Sequence, residues 1–160
     1  MDDIINLTDR ESFAFWTEVT IRYCDQDELG HINNCTYPEY IEIGRIAFLG
    51  GLLSPERHQG IDFILARIVI NFRNEAHFPG IMKVGSRILK LGKKSMTTGY
   101  GLFLNGECKA TAECVNIYFM PKTRETILIP EDIRELLEAD PLQRTRGVCG
   151  NKSTDGKTNR

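Results

Sequence analysis

The side chains best suited to chemistry crowd into one stretch, Asp25-Gln26-Asp27-Glu28-Leu29-Gly30-His31-Ile32-Asn33-Asn34, immediately before a predicted helix. Backbone amides at a helix start lack intrahelical partners and carry partial positive charge, so they can polarise a carbonyl oxygen or hold an oxyanion. A carboxylate beside them can serve as nucleophile or general base. Carboxylate and helix start together point to acyl chemistry. The same residue types also dominate ordinary loops, where Asp and Asn form Asx turns and caps and Gly30 supplies a positive φ. A calcium loop is a third reading, because Asp25, Asp27 and Gly30 take its first, third and sixth positions. It fails at the fifth position, Leu29, and at the twelfth, Thr36, where a bidentate carboxylate is needed.

Other reactive groups are scattered. Cys35 lies four residues after His31, but this spacing at a loop-to-helix junction does not aim one at the other, and a packed or half-exposed thiol is the better reading. Lys90, Lys93 and Lys94, with Lys122 and Arg124 in a later turn, are either solvated loop charges or contacts for phosphates. His58 and His77 have no partner in sequence.

The elements that must position the loop can be read from periodicity. Residues 12–23 alternate, with Phe13, Phe15, Val19, Ile21 and Tyr23 on one face, as in a half-buried strand. Thr36-Tyr37-Pro38-Glu39 then offers a capping box, with Thr36 as N-cap, for a helix reaching about Leu49. Between Tyr40 and Leu49 only Glu42 and Arg45 are charged, so other elements should enclose this helix. From residue 61, Ile64, Ala66, Ile68, Ile70 and Phe72 alternate with polar neighbours. Residues 83–91 form a weaker strand and residues 95–104 a stronger one. Asn105-Gly106 suits a type I′ hairpin turn into residues 107–120. There the apolar phase shifts from Cys114 to Val115, which predicts a β-bulge. A short helix over 130–139 presents Ile133, Leu136 and Leu137 as one stripe. An antiparallel sheet wrapped around the central helix buries both economically, an α+β architecture.

At 160 residues, with 41% hydrophobic and 26% charged side chains, the chain suits a single globular domain. We place that domain at residues 1–143 and a polar tail, poor in large apolar residues, at 144–160. A net charge of −2 removes the electrostatic case for a nucleic-acid binder. The five cysteines form no CxxC pair and no Cys/His spacing for a metal, and they read as reduced thiols in a cytoplasmic protein. The N-terminus lacks a signal-peptide pattern, and no apolar run approaches the roughly 18 residues of a membrane span.

The loop resembles a family. Asp27-Glu28-Leu29-Gly30-His31-Ile32-Asn33-Asn34, with Tyr37 three residues on, is similar to the Asp-x-x-Gly-His-x-Asn-Asn-x-x-Tyr signature of hotdog-fold thioesterases of the 4-hydroxybenzoyl-CoA thioesterase type. Strand 65–74, the Pro79-Gly80 to Val84-Gly85 turn, the Leu91 to Ser95 corner and the Asn105-Gly106 hairpin follow in the order this family shows. The resemblance implies a hotdog fold of about five antiparallel strands around a central helix. It also implies hydrolysis of an acyl thioester, from acyl-CoA or acyl carrier protein, without metal or bound cofactor. It matches Asp27 to the catalytic nucleophile or base and the Asn34 amide to the donor on the thioester carbonyl. His31 and Asn33 match too, His31 in an orienting or polarising role. Tyr37, Glu42, Lys93, Lys94 and Ser95 are the candidate substrate-binding positions, and the resemblance suggests Glu42 as an auxiliary base unless it simply pairs with Arg45. Asp25, on the same face but farther from the helix start, is expected to matter much less than Asp27. The family pairs subunits, which implies a homodimer or homotetramer. A hotdog hydratase or dehydratase and a non-catalytic acyl-CoA-binding module are the alternatives, and Asn33-Asn34 after His31 favours the thioesterase.

Overall fold

The structure, a computed structural model, describes residues 5–53, 56 and 58–139. The tail over 144–160 and Cys149 lie outside the described residues, as do the side chains of Leu136 and Leu137. In chain order come β1 (Phe15–Thr20), α1 (Tyr37–Gly50), β2 (Asp62–Phe72), β3 (Ile81–Leu91), β4 (Ser95–Leu104), β5 (Glu107–Met120), β6 (Glu125–Thr126) and α2 (Glu131–Ala139). The strands form one antiparallel sheet in the order β1-β3-β4-β5-β2, with the two-residue β6 added to β5. β2 and β1 are therefore its edges.

The helix α1 lies across the inner face of this curled sheet, as the sequence predicts. Tyr37, Tyr40, Ile41, Gly44, Phe48 and Leu49 are buried there against Met82, Val84, Tyr100, Leu102 and Ala112 from the sheet and Phe15 and Phe63 at its edges. Gly44 permits the closest approach, since a Cβ there would sit 2.6 Å from Cγ1 of Val84. Between the two halves of the apolar core runs a polar seam. Arg45 donates to Asn116 Oδ1 at 3.3 Å, Asn116 Nδ2 donates to Thr98 Oγ1 at 2.9 Å, and the Thr98 hydroxyl donates to the Tyr100 oxygen at 2.9 Å.

Four local expectations need correction. Residues 12–23 are not one strand, because short 3₁₀ turns at Arg10–Ser12 and Tyr23–Asp25 flank β1, and Tyr23 is 77% exposed. The capping box does not form: Thr36 is already helical (φ −80°, ψ −27°) and its side chain caps nothing, while Glu39 pairs with Arg22. The predicted bulge in 107–120 is not at Cys114. Ala110, Ala112, Cys114, Asn116 and Tyr118 all stay buried, with no change of phase at Cys114, and the phase shift belongs to the partner strand, where Ala66 is the extra residue between Leu65 and Arg67. A second shift, at Lys109, separates the Leu102↔Ala110 and Phe103↔Cys108 pairs. Because of Ala66, the inner face of β2 carries Phe63 and then Ile68, Ile70 and Phe72, and Ile64 faces away. Finally α1 is not enclosed on all sides, for Ile43 and Ile46 on its far face are exposed, Ile46 by 59%. The Asn105-Gly106 turn forms as expected, with φ of 52° and 86°.

Candidate active site

The chain leaves β1 through the 3₁₀ turn Tyr23–Asp25 and folds residues 26–32 into a tight reversal closed by the Gln26↔Ile32 bridge. The Asp27 amide donates to the His31 carbonyl at 2.9 Å and the Gly30 amide to the Asp27 carbonyl at 3.0 Å. Gly30 sits at φ +83°, a conformation that favours glycine. Asp27 Oδ1 accepts the Leu29 amide at 2.9 Å in an Asx turn, and among the described residues its Oδ2 accepts nothing. Asp27 is half-buried.

A second turn leads into the helix. The Asn33 amide donates to the Asp25 carbonyl at 2.8 Å, Asn33 Oδ1 accepts the Cys35 amide at 2.8 Å, and the Asn33 carbonyl accepts the Thr36 amide at 2.9 Å. In a trans peptide the C=O and the next N–H point opposite ways. With the Asn33 carbonyl turned toward Thr36, the Asn34 amide therefore points out of the turn. Among the described residues it has no acceptor.

Asn34 borders a cleft of about 200 Å³ together with His31, Ile32 and Tyr37 on one side and Phe72, Arg73, Asn74 and Glu75 on the other. Three contacts fasten its two walls. The Ile32 amide donates to the Ala76 carbonyl at 2.8 Å, His77 Nδ1 donates to the Gly30 carbonyl at 2.9 Å, and the Tyr37 and Phe72 rings meet edge to face at 5.2 Å. The second wall could not be anticipated from the motif. Its residues lie some forty positions downstream and carry no local signal, and His77, unassigned in sequence, joins the loop only because β2 ends beside the helix start.

The expected site residues thus divide. His31, Asn34 and Tyr37 share the cleft, Asn33 holds the turn beneath it, and Asp27 lies one turn away, paired across the reversal with His31. Glu42 is engaged by Arg45, which donates from Nε at 2.7 Å and from Nη2 at 2.6 Å. The Arg45 hydrogen bonds hold the Glu42 carboxyl below its usual range despite partial burial, which weakens it as a base. Lys93, Lys94 and Ser95 form the corner between β3 and β4. Lys94 donates to the Thr126 carbonyl at 3.1 Å, and Ser95 lies opposite Ile117 while Phe72 lies opposite Ala110. Seven residues of β5 separate those pairs, roughly 23 Å at about 3.3 Å per residue, so one chain does not bring this corner to the cleft. Cys35 is exposed rather than packed, and the Cys114 thiol, buried in the core, is pushed up to about 12 by burial.

Asp25 is held differently from Asp27. It is 2% exposed and is the most heavily bonded carboxylate of the loop. Oδ1 accepts Arg22 Nε at 2.8 Å; Oδ2 accepts the Arg22 amide at 2.8 Å and the Tyr40 hydroxyl at 2.6 Å. Burial alone would raise this carboxyl, yet the hydrogen bonds from Arg22 and Tyr40 hold it below the usual carboxylate range. Desolvation, and after it the bond to Asp25, raises the Tyr40 hydroxyl far above an ordinary phenol. Among the described residues no group of three or more His, Cys, Asp or Glu is placed to hold a metal ion, and no helix is long and apolar enough to cross a membrane.

The sequence profile of the thioesterase-like superfamily matches residues 19–137, which include β1 from Val19, the whole loop, α1 and the sheet. The chain belongs to this superfamily. Its enzymatic activity is accordingly that of a thioesterase, on the hotdog fold. Over 133 residues it is 26% identical to the long-chain acyl-CoA thioesterase FadM of Escherichia coli, a match spanning 76% of this chain and 96% of that one. Among solved structures it is similar to a thioesterase from Thermus thermophilus complexed with coenzyme A and Zn (28% identity, TM-score 0.68, 77% of this chain and 96% of that chain). A predicted thioesterase from Bacillus stearothermophilus is likewise similar (29% identity, TM-score 0.67, 78% and 94%).

Proposed function

We propose that this superfamily member hydrolyses acyl-CoA, with Asp27 as nucleophile or general base and the Asn34 amide as the donor that polarises the thioester carbonyl. The observation that carries the reading is the direction of that amide. Asn34 lies in the turn just before α1, its amide has no protein acceptor among the described residues, and the residue borders the cleft. A donor fixed in advance stabilises charge as it develops on oxygen, where it does most for the rate. Asp27 keeps Oδ2 open while Oδ1 is tied down, which suits a carboxylate that must be oriented and reactive. As base it takes a proton from water as the hydroxide adds to the thioester carbon. The tetrahedral intermediate then expels the thiolate, which is protonated, leaving carboxylic acid and free thiol. As nucleophile it would form a mixed anhydride that water cleaves to the same products. His31 and Asn33 orient the loop, and Tyr37 with Phe72 offers an apolar floor to the acyl group.

Coenzyme A is preferred to acyl carrier protein as the thiol because the Escherichia coli relative is named for acyl-CoA and the Thermus relative was solved with coenzyme A. The lysine corner stands far from the cleft of its own chain, so Lys93, Lys94 and Ser95 would meet substrate only across a subunit boundary. We place the enzyme in the cytoplasm as a homodimer or homotetramer. Cys24, Cys35, Cys108 and Cys114, all free, fit a reducing compartment. Thiol release from a panel of acyl-CoAs and acyl carrier proteins, read with a thiol-reactive dye, tests the reading. Catalytic release supports it. Saturable binding without turnover would make the protein a binding module, and water addition without thiol release would make it a hydratase.

A further inference from the structure

We infer that Asp25 is a positioning residue for the oxyanion donor, acting through the backbone turn that aims the Asn34 amide; the inference rests on the donor role proposed above for Asn34. Both ends of that turn hang on Asp25. Its carbonyl accepts the Asn33 amide at 2.8 Å and the Thr36 hydroxyl at 3.4 Å. Its carboxylate in turn is fastened to the first turns of α1 in two ways. The Tyr40 hydroxyl donates directly at 2.6 Å, and Arg22 bridges it to Glu39, with Nη2 lying 2.7 Å from Asp25 and 2.8 Å from Glu39. One buried residue thus ties the end of β1, the turn and the helix start together.

The geometry explains why this matters for rate. The Asn34 amide is aimed by the peptide it shares with Asn33, and Asn33 is held at its amide by Asp25 and at its carbonyl by Thr36. A shift of Asp25 rotates that peptide without unfolding α1, whose buried face is held independently by Ile41, Phe48 and Leu49. Tyr40 is apolar apart from its hydroxyl, so Tyr40→Phe keeps the packing and removes only the clamp on Oδ2.

The test is steady-state kinetics on the full chain with an acyl-CoA that the wild type hydrolyses, well below each variant's melting temperature. Removing an oxyanion-hole donor outright costs about 10²–10³ in kcat. A misaimed donor loses part of that, so we expect kcat to fall roughly 5- to 20-fold in Tyr40→Phe and more in Asp25→Asn, with KM within about twofold of wild type. A residue that merely supports the fold would lower the melting temperature and leave kcat of the folded fraction intact. The double variant Asp25→Asn/Tyr40→Phe should be no worse than Asp25→Asn alone, because both act through one contact. If Asp25→Asn fails to fold, Tyr40→Phe decides. A folded Tyr40→Phe enzyme with wild-type kcat overturns the inference. Asp27→Asn, measured in parallel, separates the two claims: its inactivity beside an unimpaired Tyr40→Phe leaves the proposed chemistry standing and removes the role of Asp25.

Discussion

At the scale of single residues, the two aspartates of the loop stand in different surroundings. Asp27 is half-buried, and among the described residues only its Oδ1 accepts a hydrogen bond; Asp25 is buried and both its oxygens accept hydrogen bonds. Asp27→Asn keeps the shape and the Asx-turn acceptor for the Leu29 amide but loses the charge, so turnover should fall by roughly 10²–10⁴ with the melting temperature nearly unchanged. A folded, fully active variant would remove Asp27 from the mechanism. Asp25 should contribute to acid stability. Its folded-state pKa is depressed, so its contribution is fully present above the unfolded value of about 3.9 and is lost as pH falls through the lower folded value. Glu42, depressed by Arg45, has the same sign. Unfolding free energy should therefore drop below about pH 4, and the drop should be shallower in Tyr40→Phe, which relaxes the Asp25 shift. Equilibrium denaturation of both proteins between pH 3 and pH 7 would show it, and identical slopes would contradict the account.

At the scale of elements, the position of α1 on the sheet depends on Gly44. Gly44→Ala places a methyl group 2.6 Å from Val84 Cγ1, within a core that has no slack, and should cost about 1–3 kcal/mol. Val84→Ala in the same chain should recover part of this, since it removes the atom that is struck; a denaturant titration of the three variants measures both effects. This contact also marks where sequence reading stops. The central helix, the strands and the Asn105-Gly106 turn were legible, because period and turn chemistry are local. So was the motif loop, through its likeness to the hotdog thioesterase signature. The phase of β2 was not, because the apparent shift at Cys114 and Val115 is produced by Ala66 on the facing strand. Nor was the weight carried by Asp25, whose partner Tyr40 is fifteen residues away and on another element. The downstream wall of the cleft, Phe72 to Glu75, was hidden for the same reason. Pairings that depend on tertiary closure leave no trace in spacing.

At the scale of the whole molecule, two surfaces on adjoining elements are unfinished. β2 is an edge strand of eleven residues with exposed Ile64, Leu65 and Phe72, and α1 exposes Ile43 and Ile46. A long apolar edge presents unpaired backbone groups and invites addition of another strand. Its charges are few, Asp62 and Arg67 alone on the strand, so it is poorly defended against pairing. An isologous pair of β2 strands would continue the sheet across two chains. Phe72 belongs to both the edge and the cleft wall, so pairing at this edge would couple association to the site through one side chain. The protein should accordingly sediment as a dimer or larger at micromolar concentration. In such a pair Leu65→Lys would put a charge on each edge strand and should shift the population to monomer, with thiol release falling in proportion to the dimer lost. Sedimentation velocity and thiol release on the same samples, across a dilution series, test the coupling. A wild-type enzyme that is fully active as a monomer would show that the β2 edge serves no assembly and that one chain completes its own cleft.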